Sequence, residues 1–123
     1  TVSEATLRAS QTAGSRLVVR IGEREWTISA QTRHMSIGRD PSCDIVTSAT
    51  QASRNHGVIV YRNGGYFYTD TSLNGSFVAF GRSGESRIRR SQILLSGQGE
   101  IRFGHTAEDE GEPLSFRVEP VAQ

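Results

Sequence analysis

A chain of 123 residues with 35% hydrophobic side chains can bury one core and is too short for two. Its net charge of +1 excludes the basic face of a general nucleic-acid binder, and no apolar run approaches the roughly 18 residues of a membrane helix, so neither nucleic acid nor membrane is an expected partner. A single cysteine excludes an internal disulfide framework; with His34, His56 and His105 scattered, no metal or cofactor is expected and the surroundings read as reducing, hence cytoplasmic.

Residues 1–15 are small and polar, with Leu7 the only large aliphatic beyond Val2, and are expected to form a linker before a domain at 16–120 and a tail at 121–123. Thr1 in first place, with no basic region and apolar stretch before the fold, reads as a piece of a longer protein without a secretion signal. Arg16–Ile21 and Trp26–Ile28 flank Gly22-Glu23-Arg24-Glu25, which predicts a hairpin with Trp26 packed on it. Met35-Ser36-Ile37 is a brief strand that delivers Gly38 and Arg39 to an Asp40-Pro41 turn, because proline crowds the α region of its predecessor. Cys43–Val46 reads as another short strand, and 47–52 as a polar loop.

Gly57–Tyr61 and Tyr66–Thr69 flank Arg62-Asn63-Gly64-Gly65, where Asn-Gly is the strongest short hairpin signal. Phe77–Phe80 begins the next strand and Gly81–Gly84 ends it. Arg87–Arg90 and Ile93–Leu95 follow, and then Gly97-Gln98-Gly99, which lacks the third glycine and the helix of a dinucleotide site and reads as a hairpin turn. Alternation through Ile101, Arg102 and Phe103 predicts a strand with one wet face, the acidic tract at 108–112 a solvated loop, and Leu114–Val118 a last strand. Ten or eleven short strands with no helical period point to an all-β sandwich of two antiparallel or mixed sheets.

Three polar clusters punctuate the middle of the chain: Ile37-Gly38-Arg39-Asp40-Pro41-Ser42, Ser53-Arg54-Asn55-His56 and Asp70-Thr71-Ser72-Leu73-Asn74-Gly75-Ser76. Each reads as a turn, and together they offer two guanidinium groups, a hydroxyl and an amide, a donor set suited to an anion on an extended peptide. All 14 basic residues are arginine, so every cationic contact can be bidentate and none titrates. Taken singly, Arg39 could pair with Asp40 or Asp44, Ser53 could cap its turn, Arg54 could be solvated, and Asn74 could merely tolerate positive φ before Gly75. Ser53, His56 and an aspartate superficially permit a hydrolase triad, but no nucleophile elbow or oxyanion loop accompanies them. Asn74-Gly75-Ser76 matches a glycosylation sequon by chance. Arg82, Arg87, Arg89 and Arg90 form the one basic cluster, either an ordinary solvated strand or a second anion or partner surface.

In their order and spacing the three clusters resemble those of a forkhead-associated (FHA) domain, over roughly Arg16 to Pro120. The resemblance implies a non-catalytic module that recognises phosphothreonine in an extended peptide, within a larger signalling protein. It assigns phosphate contact to Arg39 and Ser53, a contact to phosphate or peptide backbone to Arg54, and the grip on the peptide main chain to Asn74. His56 would brace the loops as a scaffold residue, with Gly38 and Gly75 supporting the site. Leu73 stands where many members carry threonine or serine, so it would contribute at most a backbone amide; Ala79 and Gln51-Ala52 also depart from the common pattern. The implied partner is a threonine-phosphorylated protein or peptide. From another class, the alternative is a phosphate-independent association module that self-associates or regulates a neighbouring enzyme domain such as a kinase or nucleotide cyclase.

Overall fold

Alternating burial sorts the side chains of most strands into an inner and an outer face. The computed structural model describes residues 14–104 and 112–120, which form eleven strands. In chain order these are β1 (Ser15–Ile21), β2 (Arg24–Ile28), β3 (His34–Gly38), β4 (Ile45–Val46), β5 (Gly57–Arg62), β6 (Gly65–Asp70), β7 (Ser76–Phe80), β8 (Ser86–Ile88), β9 (Gln92–Leu95), β10 (Gln98–Phe103) and β11 (Leu114–Pro120). A six-stranded sheet runs β2-β1-β11-β10-β7-β8 and a five-stranded sheet runs β4-β3-β5-β6-β9. Pairing is antiparallel except between β3 and β4, where Ile37 lies opposite Ile45.

The expected all-β sandwich is therefore the observed one. Leu17, Val19, Ile28, Val78, Ile101, Phe103, Leu114 and Phe116 from one sheet face Ile37, Ile45, Ile59, Tyr66, Tyr68 and Leu95 from the other. Burying each large apolar side chain stabilises the fold by about 1.5–3 kcal/mol before conformational entropy is set against it. Trp26 packs at the margin of this core with Arg24 over its ring, 5.3 Å from the centroid.

The Asn63-Gly64 hairpin forms as predicted, with φ of 51° and 81°, the left-handed pair that a type I′ turn requires. Three expectations change. Gly97 does not lie in a hairpin: β9 pairs with β6 and β10 with β7 and β11, so Ser96-Gly97 carries the chain from one sheet to the other. The strand expected at 43–46 shrinks to Ile45–Val46, because the Cys43 amide closes a turn onto Asp40 O and the Asp44 carboxylate accepts from the Ser36 amide and hydroxyl. β1 starts at Ser15, one residue before the expected boundary. The readings of residues 1–13, 108–111 and 121–123 lie outside the described residues.

Register places the three polar clusters together. Ile37 at the exit of β3 lies opposite Gly57 at the entry of β5, and Gly57 also lies opposite Asp70 at the exit of β6. The segments after β3, before β5 and after β6 consequently share one end of the five-stranded sheet.

Candidate functional site

Main-chain hydrogen bonds lace these segments into one rim. The Arg39 amide donates to Ser53 O and the Asp40 amide to Arg54 O, both at 3.1 Å, while the His56 amide donates to Ile37 O at 2.8 Å and the Thr71 amide to His56 O at 2.9 Å. So close an approach requires glycine at 38, where a Cβ would overlap the Arg54 carbonyl. Gly75 has φ of 85°, and a Cβ there would stand 2.8 Å from Ile88 O. Gly38 thus serves the rim by permitting close contact and Gly75 by its conformation.

Arg39 is exposed, and its Nε donates to Ala52 O at 2.6 Å. Among the described residues its terminal nitrogens have no hydrogen-bond or ion-pair partner, so the fork is aimed by one end and open at the other. The possible pairing of Arg39 with Asp40 or Asp44 is not what forms: Asp40 takes Arg54, and Asp44 takes Ser36. Ser53 lies beside Arg39 on the rim, and its hydroxyl oxygen accepts the Leu73 amide at 3.2 Å, which leaves its own proton to donate. The same bond engages the Leu73 amide, the one group the sequence left at that position for a ligand.

Arg54 is 74% exposed at its side chain and holds Asp40 at 2.8 Å. The Ser42 amide, the Ser42 hydroxyl and then Arg54 pull the Asp40 carboxyl down to about 2. Any contact from Arg54 to a ligand therefore competes with that carboxylate. Asn74 is exposed and donates through Nδ2 to Gln51 O at 3.1 Å, which ties the third cluster to the loop before Ser53 and leaves Oδ1 and one N–H available.

Behind the rim His56 is fully buried. Its Nδ1 accepts the Ser53 amide at 3.0 Å, so the ring proton resides on Nε2, which lies 2.9 Å from Gly75 O and 3.0 Å from Ser76 Oγ. Phe103 packs edge-on at 5.2 Å between ring centroids. One imidazole thus joins the second cluster to the third. Both ring nitrogens are engaged, Nδ1 by the Ser53 amide and Nε2 by Gly75 O and Ser76 Oγ with Asp70 Oδ2 at 3.4 Å, an arrangement that ties the loops together.

The buried hydroxyls beneath are ordered in one direction. Ser76 donates to Asp70 Oδ2 at 2.5 Å, which leaves the Tyr68 hydroxyl to donate to Ser76 Oγ at 2.7 Å. Burial pushes the Tyr68 phenol far up from its ordinary range. Burial would also raise Asp70, yet donation from the Ser76 hydroxyl, the Arg90 and Ser72 amides and the Ser72 hydroxyl outweighs it and holds the carboxyl below its usual value. Stability from this depressed group is present above its unfolded value near pH ~4 and is lost as pH falls through the folded one. Melting temperature is accordingly expected to drop as pH is lowered from ~4 toward ~2, with part of that slope removed in Asp70→Asn; a variant with an unchanged slope would exclude Asp70 as its source.

Sequence reading missed two parts of this site. Asp70 was read as a turn residue, although continuing the period-two alternation from Tyr66 through Tyr68 leads to a buried position 70. The second omission is the grip of the basic cluster: Arg87 Nη2 donates to Asn74 O at 2.9 Å, Arg89 Nε to Leu73 O at 2.9 Å and Arg90 Nε to Ser72 O at 3.4 Å. No local signal in the sequence says that these side chains hold the carbonyls of the third cluster. Among the described residues no group of His, Cys, Asp or Glu side chains is arranged to hold a metal ion.

Comparison with known proteins gives consistent matches. The family model for the FHA domain matches residues 35–104. The crystal structure of FHA-1 of Mycobacterium tuberculosis Rv1747 superposes with a TM-score of 0.69 at 24% identity, covering 87% of this chain and 99% of that one. M. tuberculosis EmbR in complex with a low-affinity phosphopeptide matches with a TM-score of 0.65 at 25% identity over 99% of this chain, which spans 30% of EmbR. The N-terminal FHA domain of S. cerevisiae Rad53p in complex with a phosphothreonine peptide matches with a TM-score of 0.61 at 22% identity, over 87% of this chain and 93% of that one. No curated protein matches in sequence.

Proposed function

The chain belongs to the FHA family, and from that premise we propose that its rim binds a phosphothreonine-containing peptide in extended conformation. The observation that carries this reading is the exposed Arg39 guanidinium, aimed by Ala52 O with both terminal nitrogens unpartnered among the described residues, beside a Ser53 hydroxyl that has a proton to give. A phosphate is the ligand that such a fork and hydroxyl match, since it accepts several charge-assisted bonds at once. Asn74, with its remaining N–H and Oδ1, holds the peptide main chain, and Arg54 adds charge when it leaves Asp40. Leu73 frames the site by its position and takes no part through its amide.

FHA domains are binding modules, and the buried, bracing geometry of His56 supports binding without catalysis here. The domain serves a longer signalling protein in the cytoplasm, a reading supported by the single, buried Cys43 and by the 30% share of EmbR that the chain spans. Titrating matched phosphorylated and unphosphorylated threonine peptides by calorimetry tests the core claim; equal affinity for the two would sink it.

Leu73 favours a second reading. The residue is 67% exposed on the rim, an apolar contact available to a protein partner without phosphate or to a second copy of this chain. Leu73→Thr separates the two readings. A threonine hydroxyl beside Ser53 adds a donor to a charged acceptor, and even with solvent screening this is expected to tighten the phosphopeptide roughly several-fold while leaving the unphosphorylated peptide unchanged. Weaker self-association in sedimentation, without any phosphopeptide gain, would favour the second.

A further inference from the structure

We propose that Arg89 and Arg87 form a second oxyanion subsite on the rim, one that takes an acidic side chain, carboxylate or phosphate, of the same extended phosphopeptide. This inference rests on the phosphopeptide reading above. Its basis is a repeated device. Arg39 is aimed by its Nε bond to Ala52 O, and Arg89 is aimed by its Nε bond to Leu73 O, which in both leaves the Nη1/Nη2 edge unpartnered among the described residues. Arg87 stands beside it, fixed through Nη2 on Asn74 O, with its guanidinium carbon 6.0 Å from the Phe77 ring centroid.

Charge supports the assignment. Arg16, Arg54, Arg102 and Arg117 each pair with a carboxylate, whereas Arg87 and Arg89 are exposed and face none among the described residues. Capping loop carbonyls uses one donor of each side chain and neutralises no charge, so two fixed positive groups remain with donors to spare. Their place on the rim fits one peptide. Leu73 bonds Ser53 Oγ through its amide and Arg89 Nε through its carbonyl, which holds the two subsites within about 10 Å, or roughly three residues of extended chain.

The test is calorimetry on the intact protein with a phosphothreonine peptide carrying neutral neighbours, and with versions bearing either glutamate or a second phosphothreonine within three residues on one side or the other. The acidic residue on the matching side is expected to tighten binding about fivefold, and the second phosphate more, because it carries close to twice the charge. In Arg87→Gln and Arg89→Gln, where glutamine can still donate to the loop carbonyls, that gain should shrink to about twofold or less whatever happens to the neutral peptide. On the wild-type protein alone, affinity for the acidic version should fall more steeply with added salt than affinity for the neutral one. An equal gain in both variants, or no gain at any position while the neutral phosphopeptide still binds, would overturn the subsite and leave the phosphopeptide reading standing. Equal binding of the neutral phosphopeptide and its unphosphorylated form would overturn both.

Discussion

Arg39→Ala is expected to lose about 30-fold or more in affinity for a phosphothreonine peptide, while the protein melts as wild type does. Truncating one member of a desolvated charged pair costs on the order of 2–5 kcal/mol, and each 1.4 kcal/mol is tenfold. The fold should change little, because the only side-chain partner lost among the described residues is Ala52 O, and the substituted residue itself is exposed. Arg39→Lys sharpens the test. An ammonium is a point charge and cannot hold the Ala52 carbonyl with one edge while presenting a fork with the other, so lysine should restore only part of the affinity. A folded Arg39→Ala protein that keeps its affinity would reject the assigned site, and the subsite proposal would lose its template.

His56→Ala is expected to act through stability. The substitution leaves the Ser53 amide without its acceptor and Gly75 O without its donor, opens a cavity beside Phe103, and strips one neighbour from the buried Ser76–Asp70 pair. Unsatisfied buried groups cost roughly 1–3 kcal/mol each, so a loss of about 3 kcal/mol overall is a moderate expectation. At about 4–8 °C per kcal/mol for a domain of this size, melting should fall by more than ~10 °C. Binding should weaken as well, since the same ring ties the loop carrying Ser53 to the loop carrying Asn74. A variant that melts like wild type and binds nothing would mean that His56 contacts the ligand, which its complete burial argues against.

Recognition of the fold from sequence succeeded where the signal was local. Asn63-Gly64 between two β-branched and aromatic runs announced a type I′ hairpin, because few other dipeptides occupy two successive left-handed positions cheaply. Gly38 was named only through the family resemblance, and the structure supplies the reason, a missing Cβ that permits two loops to touch. Gly97 shows where such reasoning stops. A glycine between two strand-like runs looks the same whether the chain folds back in one sheet or crosses to the other, and only the pairing of β9 with β6 and of β10 with β7 distinguishes the two.

By itself, then, the sequence determined the strand content, the hairpins with glycine-specific φ, and the three clusters that carry Arg39, Ser53 and Asn74, since these depend on residue type and short spacing. Tertiary structure alone decided which guanidinium is paired and which is open. Asp40 lies next to Arg39 in the chain and yet bonds Arg54, because the antiparallel register of β3 and β5 brings residue 54 across from residue 40. It also decided that Arg87 and Arg89 reach the carbonyls of residues 73 and 74. The antiparallel pairing of β7 with β8 inside one sheet, which sets Ile88 opposite Ser76, carries those side chains to the carbonyls, and no local periodicity encodes that pairing.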